Sequence, residues 1–313
     1  MRRFRFLAAV QAVVDGRTLA QLARRAETIG YDSLVIPDHL IEQLSPVPAM
    51  ATIAAATSTL RIGAFVLNND LRHPAVLAQD LASLDVLSDG RLDVAMGAGW
   101  NRPEYEAIGL PFNAVATRAS RLAEAVTVLK GCFADGPFSF SGQHYRIHEH
   151  EGQPKPVQRP HPPLLIGGGG RVTLGLAARE ADTVGLAPRT LSGQRADPRS
   201  ITLAATAEKI EWVRQAAGER FEALELNVYP STWPVVVTRD ADGEAGRVIA
   251  DVQRRTGVEL SRDDVLDSPH LFIGSPDGLA RKFLDLRERL GISSFMVGDM
   301  DLLAPVVERL RGT

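Results

Sequence analysis

Short apolar runs alternate with helical stretches along nearly the whole chain, and no other feature limits its fold so strongly. The runs read as strands at 5–14, 33–36, 60–67, 91–96, 163–166, 183–186, 226–229 and 294–297. Between them, apolar residues recur at helical spacing. Leu19, Leu22, Ala23, Ala26 and Ile29 end at Gly30, Leu77, Leu81 and Leu84 follow Pro74, Leu122, Val126 and Leu129 share a face, and Leu279, Phe283, Leu286 and Leu290 end at Gly291. Eight such units predict a (β/α)8 TIM barrel, an α/β fold, as one domain over residues 1–313. A doubly wound open sheet is the rival, but no early glycine fingerprint supports it. Residues 135–162 form an expected insertion, in which 138–145 alternates around Gly142 as a hairpin and a proline-rich stretch follows. Because this hairpin follows a helix, it is expected toward the N-terminal, stabilising face of the barrel.

Composition narrows the classes. Of 313 residues, 45% are hydrophobic, enough for a large core, and the net charge of -3 gives no basic face for nucleic acid. Cys132 is the lone cysteine, so no internal disulfide forms, and a reducing, cytoplasmic setting is expected. No apolar run approaches the ~20 residues that span a membrane.

Gly167, Gly168, Gly169 and Gly170 stand together between an apolar strand and a helix that opens at Arg171. Glycines admit positive φ and close approach of a ligand to the backbone. The helix behind them offers unpaired N–H groups and a positive dipole end, which together suit a phosphate. A flexible turn is the plainer reading. A Walker loop is excluded, because no Gly-Lys-Ser/Thr follows.

Barrel active sites lie at the C-terminal strand ends. That rule selects Asp38 and His39, then Asn68, Asn69 and Asp70, then residues 97–105, the glycine run, Pro188 and Arg189, and Tyr229 and Trp233. His39 is the expected acid or base, since imidazole exchanges protons near neutrality, or else it only hydrogen-bonds the rim. Asp38 orients His39 or starts the next turn. Asn68 and Asn69 meet the polar edge of a heterocycle or fold into Asx turns. Trp100 stacks on a flat ring or packs under a loop, and Glu104 and Glu106 read as solvated loop charges. No metal is expected, since these strand ends carry no ligand spacing.

Residues 72–79, 84–92, 97–100, 138–145, 163–171 and 274–276 resemble, in that order, the bacterial luciferase-like oxidoreductases. Residues 36–40 and the long match from Asn68 to Trp100 are most similar to the branch that uses the deazaflavin coenzyme F420. The resemblance implies a flavin-type ring in the barrel mouth, with Asp38, Ala64, Phe65, Asn68, Gly97, Gly99, Trp100 and Pro188 around it. It places the phosphate on Gly167 to Gly170 and Arg171. It also implies a non-proline cis peptide near Ala64, Phe65 and Val66, and a homodimer. Where relatives that oxidise sugar phosphates carry a glutamate after the Gly-x-Gly of strand four, this chain has Trp100, and Arg189 only neighbours the position of a phosphate-binding lysine. A less polar small-molecule substrate is therefore expected.

Three functions follow. The first is an F420-dependent oxidoreductase that moves hydride between the deazaflavin and an organic substrate, with His39 handling the proton. The second is an FMN-dependent monooxygenase of the same superfamily. The third is a flavin-binding barrel without turnover.

Overall fold

Eight parallel strands pair into a closed ring in the computed structural model, which describes residues 2–191, 196–231 and 233–313. They are β1 (Arg5–Ala9), β2 (Ser33–Ile36), β3 (Arg61–Ala64), β4 (Leu92–Gly97), β5 (Leu164–Gly168), β6 (Thr183–Leu186), β7 (Glu225–Val228) and β8 (Ile292–Gly298). Each pairs with the next, and β8 returns to β1, with Arg5 opposite Ser294. The outer ring contains α1 (Gly16–Ile29), α2 (Pro46–Ala56), α3 (Pro74–Leu87), α4 (Val115–Phe133), α5 (Arg171–Glu180), α6 (Leu203–Ala217), α7 (Pro276–Leu290) and α8 (Met300–Leu310). This is the TIM barrel expected from the alternation.

The helix boundaries follow local chemistry. Asp15 accepts from the Thr18 N–H at the start of α1, and Ser275 accepts from the Gly278 N–H ahead of Pro276 in α7. Outward-facing strand residues meet the helices in an aromatic core, where the rings of Phe283 and Phe295 stack 4.2 Å apart.

Inside the ring, the N-terminal end is closed by charge. Arg5 bridges Asp93 at 2.8 Å and Glu225 at 3.1 Å, and Arg61 meets Asp93 at 2.7 Å. These groups are removed from bulk water, so mutual pairing is what makes their burial tolerable. Leu7, Val35 and Met296 form the layer above, with Phe65 and Tyr229 packed against it. Five of the eight strands then end in small residues, Ala9, Ala64, Gly97, Gly168 and Gly298. Charge thus plugs the N-terminal end, and small residues predominate at the other.

Two elements differ from expectation. The hairpin strands Phe138–Ser141 and Arg146–His150 run along α4, and the Glu124 carboxylate accepts from the N–H groups of Gln143, His144 and Tyr145 at the turn. Tyr145 continues to the C-terminal rim, where its hydroxyl lies 3.4 Å from Asn69 Nδ2 and its ring meets His73. The hairpin therefore does not stay at the stabilising face: length along α4 carries its tip to the functional one. A second elaboration precedes α7, with helices Ala241–Thr256 and Arg262–Leu266 and strand Val236–Val237 paired with Ile273–Gly274. It has its own apolar cluster, including Val248, Val265 and Leu271.

Candidate active site

The segment after β3 shapes the mouth. Peptide bond Phe65–Val66 is cis, at the position the family resemblance implied, and strand pairing resumes at Leu67–Asn68 opposite Met96 and Gly97. Val66 rests over Gly97, where a Cβ would sit 2.6 Å from Val66 Cγ2. Phe65 turns inward and packs edge-on against Tyr229 at 5.5 Å, while Ala64 is buried in β3. Gly99 has φ +74°, and a Cβ there would overlap the Tyr105 hydroxyl.

His39 sits at the end of β2 with its side chain 25% exposed. Its Nδ1 lies 3.0 Å from Glu104 Oε1 and 3.2 Å from Oε2, and its ring meets Trp100 edge-on at 5.5 Å. Asn101 Nδ2 also donates to Glu104 Oε1. Expected as a solvated charge, Glu104 is instead 5% exposed, whereas the side chain of Glu106 is 62% exposed. The short helix Arg102–Ala107 makes the difference. Pro103 occupies its first turn, so Glu104 and Tyr105 point inward and Glu106 outward. The proline was the available signal, and the stretch instead read as loop.

Asp38 does not orient His39. Arg72 clamps its carboxylate through two contacts, 2.6 and 3.0 Å, and the Asn68 N–H donates to it at 2.9 Å. It thus fixes the start of the segment after the cis peptide. Asn68 takes the Asx conformation, its Oδ1 accepting from the Asp70 N–H at 3.1 Å and from the Tyr105 hydroxyl at 2.9 Å. Among the described residues its Nδ2 meets no acceptor. Burial, reinforced by the Asp70 carboxylate, raises the Tyr105 pKa and keeps this phenol a hydrogen-bond donor. Arg121 balances Asp70 at 2.9 Å.

Beside β4, β5 runs into the glycines. Gly170 is the N-cap of α5, no side chain caps the helix, and Gly167, Gly168 and Gly169 are half-buried. None of the four has positive φ; close approach is the reason for glycine here. A Cβ on Gly168 would sit 2.6 Å from Thr173 Cγ2, and one on Gly169 2.5 Å from the Pro188 carbonyl oxygen. Pro188 thus packs on the glycine run, as Arg171 packs on Trp212 with its guanidinium 4.7 Å from the ring centre. Arg189 pairs with Asp197 at 3.4 Å, and Trp233 turns away to donate to Glu244 in the second elaboration. The sequence-selected residues accordingly share one rim: Asp38, His39, Asn68, Gly97, Gly99 and Trp100 follow β2, β3 and β4, and Gly167 to Arg171 with Pro188 follow the adjoining β5 and β6, with Val66 between Gly97 and Gly167. Among the described residues, no group of three or more His, Cys, Asp or Glu is placed to hold a metal.

The luciferase-like monooxygenase family model matches residues 3–294. The chain belongs to that family. Among luciferase-like relatives, the FMNH2-dependent dimethylsulfone monooxygenase of Pseudomonas putida is 28% identical over 272 residues, 84% of this chain and 68% of the relative. The F420-dependent glucose-6-phosphate dehydrogenase of Kineococcus radiotolerans is 34% identical over 163 residues, 50% of this chain and 48% of the relative. The solved F420-dependent tetrahydromethanopterin reductase from Methanopyrus kandleri shares the fold, with a TM-score of 0.77 at 19% identity, covering 99% of both chains. Luciferase-like relatives thus use either F420 or reduced FMN. No described helix is long and apolar enough to cross a membrane.

Proposed function

We propose that the barrel mouth holds coenzyme F420 and that the protein transfers hydride between it and a small, weakly polar organic substrate. The observation that carries this reading is the His39–Glu104 pair. A carboxylate-oriented imidazole lies on the same rim as strands that end in residues too small to fill the mouth. The residues present fit a flat ring with a phosphate tail: the Asn68 amide Nδ2 meets no acceptor among the described residues, and the uncapped N-terminus of α5 follows β5. When bound, the deazaflavin supplies the hydride chemistry. With Nδ1 of His39 committed to Glu104, Nε2 is the nitrogen left to exchange the accompanying proton with substrate. Asn68 offers Nδ2 to the polar edge of the ring, Trp100 covers the outer side of the mouth, and Gly167 to Gly170 with Arg171 take the phosphate.

A second reading, oxygenation with reduced FMN, is supported by the dimethylsulfone monooxygenase relative, whose similarity extends over 84% of this chain. We also propose that the protein is a homodimer. Titrating the purified protein with F420, FMN and FAD, followed by fluorescence, separates these readings. Tightest binding of F420 supports the first, selective binding of FMN moves the assignment to the second, and binding of none sinks both.

A further inference from the structure

Lys209 is a buried cation without an ion-pair partner among the described residues. It lies on α6, is 1% exposed, and makes no carboxylate contact within salt-bridge distance among the described residues. The neighbouring Asp197 is engaged by Arg189 at 3.4 Å and by the Arg199 N–H at 3.0 Å. The ammonium instead donates to the carbonyls of Ala187 at 2.8 Å and Ser200 at 2.9 Å. Burial, with Arg189 adding repulsion, lowers its pKa to about 8. Two neutral carbonyls compensate poorly for a desolvated ammonium, since buried charges ordinarily pair with opposite charge.

The position of those carbonyls suggests why the charge is there. Ala187 and Pro188 follow β6 and lie directly against the glycine run: a Cβ on Gly169 would be 3.0 Å from the Ala187 oxygen and 2.5 Å from the Pro188 oxygen. Lys209 thus grips from below the segment that abuts Gly169 from the side. One carbonyl separates the ammonium from the glycine backbone, and the α5 N-terminus beyond it has no side-chain cap.

We propose that Lys209 is a positioning residue for the phosphate end of the cofactor. It pins the segment after β6 against the glycine run, and its buried charge makes that end of the barrel attractive to an anion. This rests on the reading that the glycine run takes the phosphate. The charge acts through one layer of backbone in a medium far less polarisable than water, so it reaches an anion on the far side with little screening. Asp197 and Glu208 are near enough to act on Lys209 through space but make no salt bridge with it among the described residues, so a phosphate there would add to a charge they only partly balance.

The test compares F420 with its phosphate-free deazaflavin alcohol, and FMN with riboflavin, in wild type, Lys209→Gln and Lys209→Arg, by fluorescence titration. Glutamine keeps hydrogen-bond donors for the carbonyls but not the charge. The expected result is that Lys209→Gln weakens the phosphate-bearing ligands about tenfold, leaves the phosphate-free ones within twofold, and that Lys209→Arg restores most of the loss. Equal weakening of both ligand types, or of neither, overturns the proposal. If wild type binds each pair equally, the phosphate reading itself fails. Should Lys209→Gln not fold, wild type alone decides. The advantage of F420 over its phosphate-free form should shrink between pH 7 and 9, as Lys209 gives up its proton. Arg189, Asp197 and Glu208 are the charged groups that act on Lys209, His270 is already neutral, and because burial lowers the Lys282 pKa to about 7 the decline should persist in Lys282→Gln. A constant advantage across that range counts against Lys209.

Discussion

Nδ1 of His39 lies 3.0 Å from Oε1 of Glu104, and that carboxylate is buried and also accepts from Asn101 Nδ2 rather than lying open to solvent. A carboxylate in this place fixes which imidazole nitrogen carries hydrogen and which way the ring faces, as the acid does in other oriented His–carboxylate pairs. His39→Ala should therefore lower kcat by about 10²–10⁴-fold, the usual worth of a general acid or base. Cofactor affinity should change little, because the glycine run proposed to take the phosphate follows a different strand, β5. His39→Asn is the informative control. If it turns over at nearly the wild-type rate with an unchanged pH profile, His39 serves only as a rim hydrogen bond.

Glu104→Gln keeps the shape and one acceptor but removes the charge that stabilises an imidazolium. The expected outcome is a loss in kcat smaller than that of His39→Ala, with KM nearly constant, and no additional loss when both are changed. Fully multiplicative losses in the double variant would separate the two residues. The assay needs a substrate, so cofactor oxidation against a panel of enones and imines comes first.

Gly169 and Gly170 make a matched pair. An added Cβ at Gly169 meets the Pro188 carbonyl at 2.5 Å, whereas at Gly170 nothing lies within 4 Å. Gly169→Ala should weaken cofactor binding and destabilise the fold by about 1–3 kcal/mol, the typical cost of overpacking. Gly170→Ala should leave stability nearly unchanged, measured by denaturant unfolding. Equal behaviour of the two variants would remove close approach as the reason for the run.

His270 provides the pH test. It is fully buried, its Nδ1–H donates to the Tyr229 carbonyl at 3.2 Å, and its Nε2 has no partner among the described residues. Burial, with the cations Lys209 and Lys282 adding to it, lowers its pKa to about 3. Unfolded histidine takes up a proton near pH 6.5, so between 6.5 and 3 the unfolded chain binds more protons than the folded one. Stability should fall as pH drops through that window. Tm measured from pH 7.5 to 5 should decline in wild type and decline less in His270→Asn. Parallel curves would assign the acid sensitivity to other groups.

The barrel was legible because its strands are buried on both faces and so read as unbroken apolar runs, as at Ile36, Val94 and Leu164. Gly169 and His39 were legible for a related reason, since each directly follows a strand. What could not be read depends on tertiary burial. Glu104 differs from Glu106 only in which side of a six-residue helix it occupies. Lys209 occupies what looks like a solvent position in a helical pattern, and only the carbonyls of Ala187 and Ser200 explain its burial. In the second elaboration 234–238 reads as an extended piece and does contain the strand Val236–Val237, but its helices Ala241–Thr256 and Arg262–Leu266 escaped, since the first buries only Glu244, Ala245 and Val248 and the second only Val265.

α3 carries the last prediction. Its inner face is core, with Leu77, Leu81 and Leu84 at most 3% exposed, yet its outer face presents Val76 at 58%, Val86 at 41% and Leu87 at 70%. Three large exposed apolar side chains on one helix face, interrupted by Asp80 and Ser83, are more than solvent exposure alone explains. The neighbouring α2 adds Pro48 and Ala55 to the same outer surface, small residues that allow close approach. A second copy of the chain would cover this surface through a two-fold contact, in which the patch meets itself. Light scattering at micromolar concentration should therefore give twice the 33.8 kDa chain mass. Val76→Asp with Leu87→Asp should shift the protein to monomer without unfolding it, because both side chains lie outside the core. A monomeric wild type, or a dimer indifferent to both charges, would place the contact elsewhere or remove it.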